Sequence, residues 1–287
     1  MTREPEVRTA LVTGASTGIG ARTASRLVDA GYRVFGTSRR GRGDHDGVQM
    51  LQMDVRDDES VREAVGAVTE AAGHIDILVN NAGVAHQGFA EETGRAEADA
   101  VFETNFFGPI RVTDAVLPQM RRRRSGRVIN VGSLAAWIGE PGETMYAASK
   151  AALARYSEAL RHEVWHLGIS VSLVEPGAFT TGVLGAASGH DDHAGHADHT
   201  GHISDYDGPR ELARRTLEKS LRHGGDPNDV ADLIAAVART GQPRSRYGVG
   251  REARRIPIVK AAVPQRLTDY LLRRAYQLPG RSITSRS

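Results

Sequence analysis

The sequence predicts a single α/β domain built on a parallel β-sheet that helices cover on both faces. Short apolar runs alternate with longer segments of helical periodicity as far as Pro176, an order typical of parallel strands joined by helical crossovers. The runs lack the strict polar alternation of a sheet with one solvated face, which indicates burial on both sides. In such sheets ligands bind beyond the carboxyl ends of the strands, so the residues that follow each strand are the candidates for a site.

The elements of the alternating part follow one another in order. Each predicted strand is a short apolar run, and each predicted helix is a longer segment with apolar residues three or four positions apart. The strands are predicted at residues 7–12, 32–37, 48–53, 75–79, 127–131 and 169–174. The helices are predicted from a Gly-rich turn to about residue 30, over 56–72, through Asn105 to about 123, and over 146–166.

The regular alternation ends after Pro176. Residues 185–205 are rich in Gly, Ala, Asp and His and predict a mobile loop, followed by helices at 209–221 and 227–239 and a last strand at 247–249. Residues 251–278 mix leucines and Tyr270 with several arginines and predict an amphipathic helix. This helix packs against the domain or a partner subunit, or it rests on a membrane surface. No linker divides the chain, so residues 1–287 are predicted to form one domain.

Composition and charge exclude several classes of protein. The 287 residues include 37 basic and 35 acidic ones, a formal net charge of +2, so we expect no nucleic-acid partner. The absence of cysteine excludes disulfides, thiol catalysis and Cys-ligated metals. No apolar run reaches the roughly 20 residues that cross a bilayer. The N-terminus carries no signal-peptide core, and we expect a cytoplasmic protein.

A Gly-rich turn, TGASTGIG at 13–20, follows the first predicted strand and opens the first helix. Glycine permits a tight turn and close approach of the backbone to a diphosphate, and the helix N-terminus supplies N–H groups and a favourable dipole. Because the turn lies between a strand and a helix, cofactor binding explains the pattern better than an ordinary loop does. The candidate cofactor contacts in this turn are Gly14, Ser16, Thr17, Gly18, Ile19 and Gly20.

The end of the second strand predicts the choice between the two nicotinamide cofactors. A carboxylate there would accept a hydrogen bond from the ribose 2′-OH of NAD, whereas an arginine would pair with the 2′-phosphate of NADP. The segment TSRR at 37–40 has no carboxylate, and a guanidinium matches phosphate geometry. Ser38 and Arg39 therefore favour NADP(H) over NAD(H). The alternative is that the arginines form a solvated turn.

Two further strand ends carry candidate cofactor contacts. Asp54, followed by Val55, ends the third strand, where a carboxylate can accept from the adenine amino group. Asn81, Ala82 and Gly83 end the fourth strand, where small residues and an amide can line the cofactor. Each group taken alone is equally explained by ordinary turn chemistry.

Together these segments resemble the short-chain dehydrogenase/reductase family. The matching elements are TGASTGIG at 13–20, Asp54-Val55, NNAG at 80–83, Asn105, Ser133, YAASK at 146–150 and PGAFTT at 176–181. They occur in order and at family-like spacings over about residues 7–181. The resemblance implies a Rossmann-type doubly wound sheet, NAD(P)-dependent hydride transfer, and a homodimer or homotetramer assembled through the two long helices.

The resemblance, together with side-chain chemistry, implies the catalytic group. Carbonyl reduction needs a proton at oxygen, and Tyr146 is the expected general acid, or base in the oxidation direction. Lys150 lies one helical turn away and, with the oxidised nicotinamide, is expected to lower a phenol pKa that is ordinarily about 10. Ser133 would bind the substrate oxygen. By the resemblance, Lys150 also holds the nicotinamide ribose, Asn105 joins a water-linked proton relay, and the carboxamide and phosphates meet Pro176, Gly177 and Thr181.

A second motif competes for the same helix. His162 to His166 spells HExxH, the zinc-protease pattern. Both imidazoles lie roughly 160° to 200° around the helix from Tyr146, so they face a neighbouring helix or a subunit partner, and we predict no metal site. A third ligand would have to come from a His-rich loop at 190–202, which we place inside a substrate lid at 182–222: His190, His193, His196, His199 or His202. We expect that loop to be solvated, with adventitious Zn or Ni binding as the alternative.

The leading hypothesis is an NADP(H)-dependent oxidoreductase that interconverts a ketone and a secondary alcohol. The C-terminal extension at 251–287 resembles the branch that includes 17β-hydroxysteroid and retinol dehydrogenases. That resemblance implies a bulky lipophilic substrate, which the C-terminal region would cover. The alternative is a regulator that binds NADPH without turnover, and the intact set of Asn105, Ser133, Tyr146 and Lys150 argues against it.

Overall fold

A parallel β-sheet forms the centre of the molecule in the computed structural model, which describes residues 7–41, 43–179 and 202–278. Within these residues seven strands lie in the order β3-β2-β1-β4-β5-β6-β7. They are β1 Thr9–Val12, β2 Arg33–Ser38, β3 Val48–Gln52, β4 Ile77–Asn80, β5 Gly126–Val131, β6 Ile169–Pro176 and β7 Arg246–Val249. The order reverses between β1 and β4, so a crevice opens at their carboxyl ends. The predicted doubly wound sheet is confirmed.

Helices cover both faces of the sheet. They are α1 Gly18–Asp29, α2 Asp58–Ala72, α3 Arg95–Phe102, α4 Gly108–Arg123, α5 Thr144–Val164, α6 Asp207–Arg222, α7 Pro227–Arg239, α8 Arg251–Ala262 and α9 Gln265–Ala275. Helices α1 and α7 contribute to one hydrophobic core, and α2, α4 and α5 contribute to the other. In β1, for example, Ala10 and Val12 pack under α1 and α7 while Leu11 faces the opposite core. Both faces of each central strand are therefore buried, which explains the apolar runs without alternation.

The helix predicted through Asn105 to about residue 123 is interrupted. Helix α3 ends at Phe102, a π-helical turn spans Glu103–Phe107, and α4 begins at Gly108. The turn buries Asn105 completely. Turns of this kind occur frequently at functional sites, and the interruption places an amide side chain in the interior that a regular helix would aim elsewhere.

The helix predicted at 251–278 is two helices, α8 and α9. Val263 is extended, with φ −101° and ψ 130°, because the residue before a proline is disfavoured in helical conformation. Pro264 then caps α9. Smaller differences occur at β1, which begins at Thr9 rather than residue 7, and at α2, which begins at Asp58 because Asp57 caps it with a 2.6 Å bond from the Ser60 amide. In the described part of the chain, no helix has both the length and the apolar character needed to cross a bilayer.

Part of the predicted lid at 182–222 lies outside the described residues. His190, His193, His196 and His199 belong to this part, and Thr181, which precedes the lid, also lies outside the described residues. From residue 202 onward the chain is anchored on the loop that follows β4. Arg210 forms an ion pair with Glu92, and the rings of Phe89 and Tyr206 lie 5.0 Å apart. Helix α6 therefore packs beside the segment that leads from the crevice into α3.

Candidate active site

The Gly-rich turn lies at the carboxyl end of β1 and requires glycine. Gly14 and Gly18 have φ angles of +65° and +58°, the left-handed region that favours glycine. A Cβ added to Gly20 would overlap the carbonyl oxygen of Gly14, and a Cβ added to Gly14 would lie 2.9 Å from the Cα of Ala82. The turn therefore packs backbone directly on backbone at the switch between β1 and β4.

The N-terminus of α1 is open toward the crevice. Thr17 makes no capping hydrogen bond and the first turn carries no acidic residue among the residues described. Ser16 and Thr17 are exposed, and a Cβ on Gly18 would meet no atom within 4 Å, while Ile19 packs against the core. Free N–H groups, a helix dipole and open space fit the diphosphate of a nicotinamide dinucleotide.

Asn81 joins the Gly-rich turn to the end of β4. Its side-chain amide donates to the carbonyl oxygens of Thr13 and Gly14 at 3.0 and 3.1 Å. The Thr13 hydroxyl in return accepts from the backbone N–H groups of Asn81 and Ala82 at 3.0 and 2.9 Å. Asn81 thus holds the turn in shape, while Ala82 and the exposed Gly83 border the crevice.

The ends of β2 and β3 form the corner where the adenosine ribose is expected. The Ser38 hydroxyl is buried and has no hydrogen-bond partner within the described chain, so it is available to a ligand. Arg39 is exposed, and its charge contributes to lowering the pKa of Asp54. The larger cause is Arg56, whose guanidinium binds both carboxylate oxygens of Asp54 at 2.6 to 3.1 Å. The Asp54 carboxylate expected to meet adenine is therefore already paired. Val55 beside it is buried.

Ser133, Tyr146 and Lys150 come together above the end of β5. Ser133 follows β5, and its hydroxyl is hydrogen-bonded to Tyr146 in the first turn of α5. Lys150 is buried, donates to the carbonyl oxygen of Val131 at 3.0 Å and lies 5.9 Å from the centroid of the Tyr146 ring. Three residues from two elements thus form one cluster at the crevice.

Asn105 supports this cluster from the π-helical turn. Its side chain donates to the carbonyl of Val84 at 2.9 Å and to the hydroxyl of Ser149 at 3.1 Å, and it accepts from the Val84 amide at 2.8 Å. Ser149 in turn donates to the carbonyl of Tyr146 at 2.7 Å. A Cβ on Gly83 would lie 3.2 Å from the Asn105 oxygen and 3.6 Å from the Lys150 ammonium. Asn105 therefore connects the loop that follows β4 to helix α5.

The pKa of Tyr146 shifts opposite to the direction expected from the sequence. Burial raises it to about 12, with a contribution from the Glu143 carboxylate, and the hydrogen bond from Ser133 opposes the rise only in part. Burial also lowers the pKa of Lys150 to about 8. Desolvation is the largest cause of both shifts, and it disfavours the charged form of each group. The phenol is consequently protonated at neutral pH, as a general acid requires.

A pair of half-buried carboxyl groups beside Tyr146 was missed in the sequence. Burial and the neighbouring Glu140 raise the pKa of Glu143 to about 7. Burial likewise raises the pKa of Glu140, which is hydrogen-bonded to the buried phenol of Tyr276 just beyond α9. Glu143 stands one helical turn before Tyr146, a spacing that would have pointed to it.

Two further predicted cofactor contacts, Pro176 and Gly177, lie at the carboxyl end of β6. Pro176 ends β6, and Gly177 donates to the carbonyl of Val249 at 3.0 Å.

His162 and His166 are exposed, and His166 lies in a 3-10 turn after α5. Among residues 7–41, 43–179 and 202–278, no three His, Cys, Asp or Glu side chains form a group that could hold a metal ion.

Comparison with known proteins places this geometry in a family. The family model for short chain dehydrogenases matches residues 8–191. The 3-ketodihydrosphingosine reductase of Bacteroides thetaiotaomicron is 36% identical over 275 residues, 93% of this chain and 97% of that protein. Retinol dehydrogenase 8 of Bos taurus is 34% identical, covering 83% of this chain and 80% of that protein.

A solved structure agrees with the sequence comparisons. The crystal structure of a short-chain dehydrogenase from Streptomyces avermitilis superposes with a TM-score of 0.78 at 34% identity, covering 93% of this chain and 97% of that one. The similarity extends well past the family model into the C-terminal helices. The chain therefore belongs to the short-chain dehydrogenase family and is an oxidoreductase that acts on a hydroxyl or keto group.

Proposed function

We propose that this protein uses NADPH to reduce a ketone on a bulky lipophilic substrate, and catalyses the reverse oxidation of the secondary alcohol. The observation that carries the proposal is the cluster of Ser133, Tyr146 and Lys150 at the crevice that also receives the open N-terminus of α1. Family membership supplies the class of reaction, and the side chains supply the proton and the cofactor contacts.

A nicotinamide cofactor held at this crevice by the turn after β1 and by Lys150 would supply the hydride for the reduction. Tyr146, protonated at neutral pH, gives its phenolic proton to the carbonyl oxygen. Ser133 holds that oxygen and stabilises the charge that develops there. The Lys150 ammonium favours the phenolate that remains, and Asn105 supports a relay that returns a proton to it.

The preference for NADPH rests on the corner at Ser38 and Arg39. The unpartnered Ser38 hydroxyl and the exposed Arg39 guanidinium both suit a 2′-phosphate, and the segment has no carboxylate to bind a free ribose 2′-OH. Arg39→Ala should raise the dissociation constant for NADPH by about 10- to 100-fold, the loss of one charge-assisted bond, and change that for NADH little. Arg40→Ala, at the neighbouring exposed position, is the control. Equal losses for both cofactors would contradict the preference.

The substrate class is supported by the two sequence relatives. One is named for the reduction of 3-ketodihydrosphingosine and the other for the oxidation of retinol. The test is a panel of ketones of increasing chain length. Turnover is measured from the absorbance of the reduced cofactor, with NADPH and NADH in parallel. Turnover that rises with chain length and prefers NADPH is expected. NADPH binding without turnover on any ketone would favour the regulator instead.

The cellular location and the oligomeric state are also part of this proposal. We expect a cytoplasmic homodimer or homotetramer. Phe107, at the start of α4, is 44% exposed, and Trp165, just after α5, is 68% exposed, so both long helices end in apolar side chains that a partner subunit would cover. Sedimentation velocity tests the expectation, and a monomer at micromolar concentration would contradict it.

A further inference from the structure

Helices α8 and α9, here called the C-terminal helix pair, present large apolar side chains to solvent. Their exposed fractions are 70% for Ile258, 47% for Val259, 47% for Leu267, 55% for Tyr270 and 48% for Leu271. Single exposed apolar residues are normal on a protein surface, but five on two successive helices mark an interaction surface.

These side chains are not the ones that attach the pair to the domain. In α9 the inward side carries Leu272, which is half-buried, and Tyr276 beyond the helix end, which is buried. At about 100° per residue, the stripe of Leu267, Tyr270 and Leu271 lies roughly 150° around the helix from that inward side. The helix therefore has a second apolar side that the domain does not cover.

The charge of the pair is as unusual as its apolar surface. It carries two acidic and seven basic residues, a formal charge of +5 in a protein whose formal net charge is only +2. All seven cations are exposed: Arg251, Arg254, Arg255, Lys260, Arg266, Arg273 and Arg274. Of these seven cations, only Arg273 forms an ion pair with another described residue, Asp269, at 4.0 Å. By contrast, Arg210, Arg214 and Arg215 of α6 are all paired with carboxylates.

We propose that the C-terminal helix pair docks on the surface of an anionic lipid bilayer. An in-plane helix with an exposed apolar stripe and unpaired cations has the character of an interfacial helix. Leu267, Tyr270 and Leu271 would enter the interface while arginines contact phosphates. A second copy of this chain fits less well, because two-fold packing would set this positive surface against itself.

The docking surface is connected to the candidate active site. The Lys260 ammonium bonds the carbonyl of Trp137, and the phenol of Tyr276 bonds Glu140. Both partners lie in the segment between β5 and the catalytic helix α5. Docking would place this segment near the bilayer, where a lipophilic substrate would enter. This consequence rests on the proposed function, whereas the docking itself does not.

The test is flotation of the full chain with lipid vesicles, without cofactor or substrate. The protein should float with vesicles of equal parts phosphatidylcholine and phosphatidylserine, remain behind with phosphatidylcholine alone, and be released by high salt. Leu267→Glu combined with Leu271→Glu, and Arg273→Glu combined with Arg274→Glu, should each lower the partition coefficient at least about tenfold.

Two matched controls test whether membrane binding requires this surface or only positive charge and exposed apolar side chains anywhere on the protein. Arg121→Glu combined with Arg122→Glu reverses two exposed cations at the end of α4, and Val7→Ser removes an exposed apolar residue elsewhere. Both should float like the unaltered protein, and circular dichroism should show all variants folded. No flotation, equal flotation with neutral vesicles, or equal loss in the controls would overturn the proposal. So would a Leu267/Leu271 variant that floats normally but changes its sedimentation coefficient, because that surface would then join subunits.

Discussion

The two ends of the crevice are built in different ways. At the nucleotide end, Thr13, Gly14 and Asn81 close a network of hydrogen bonds between adjacent strand ends. At the substrate end, Glu140 and Glu143 are half-buried beside Tyr146, and no described cation forms an ion pair with either carboxyl group. At the first end the chain pairs the polar groups that hold the turn in shape, while the second end holds groups whose protonation depends on their surroundings. Changes at the first should act through geometry, and changes at the second should alter the dependence on pH.

The largest effect in this comparison is expected where the two ends meet. Tyr146→Phe keeps the ring and removes the proton donor, so kcat should fall by about 10²- to 10⁴-fold, while the dissociation constant for the cofactor stays within about twofold. Tyr156→Phe, on the same helix, is the control and should keep near-normal kcat. A Tyr146→Phe enzyme that retains a tenth of the activity would assign the proton to another group.

Gly20→Ala tests the geometric character of the nucleotide end. The added Cβ would overlap the Gly14 carbonyl oxygen and the Asn81 amide nitrogen, so the turn must move, and cofactor affinity should fall at least about tenfold because backbone overlap cannot be relieved by a rotamer change. Gly66→Ala in α2 is the matched control, since its Cβ would meet nothing within 4 Å. That variant should be more stable by about 0.5–1 kcal/mol. Fluorescence titration and thermal unfolding measure both.

The nucleotide end was predictable from sequence because its geometry is local. A tight turn between a strand and a helix leaves a mark in adjacent residues, so the glycines at 14, 18 and 20 and the alternation of elements identified the turn and the fold. The role of Asn81 was less visible, because an amide next to the cofactor and an amide that holds the turn look the same in a sequence. The pairing of Asp54 with Arg56 was missed, although the two are neighbours on the chain, because turn geometry decides whether they meet.

The substrate end was predictable only in part, for two physical reasons. Tyr276 meets Glu140 across more than a hundred residues of chain, and no periodicity connects them. The direction of the Tyr146 pKa shift depends on how far burial outweighs the hydrogen bond from Ser133, and that balance depends on packing. Residue types thus identified Tyr146 and Lys150 as partners, while their protonation states required the three-dimensional arrangement.

Glu143→Gln tests whether the substrate end responds to pH. The Glu143 carboxylate raises the pKa of Tyr146, so removing it should let the phenolate form at lower pH. Because the phenolate is the base for alcohol oxidation, the rise of the oxidation rate with pH should also shift to lower pH. The unaltered enzyme should show an inflection near pH 7, where Glu143 titrates, and the variant should lack it. Glu163→Gln, an exposed position on the same helix, should leave the profile unchanged. Identical profiles for all three proteins would show that Glu143 does not titrate beside Tyr146.

The same substitution predicts a change in stability with a defined sign. The pKa of Glu143 rises from 4.5 to about 7 on folding, so between these values the folded protein holds a proton that the unfolded chain releases. The free energy of unfolding should therefore fall as pH rises through this window. Glutamine cannot ionise, so Glu143→Gln should be the more stable protein above pH 7, with the difference vanishing near pH 4. Urea unfolding at several pH values measures it, and a variant less stable at pH 8 would contradict the assignment.

The smallest expected effect lies farthest from the chemistry. Tyr276→Phe removes the phenol that is hydrogen-bonded to Glu140 and leaves the ring in place, so the free energy of unfolding should fall by about 1 kcal/mol. Because Glu140 belongs to the segment that precedes α5, KM should rise more than kcat falls. Tyr270→Phe, with an exposed ring on the neighbouring helix α9, should change neither. If Tyr276→Phe lowered kcat as strongly as KM rose, the C-terminal residues would act on the catalytic group itself, and the two ends of the crevice would not be separable in the way their construction indicates.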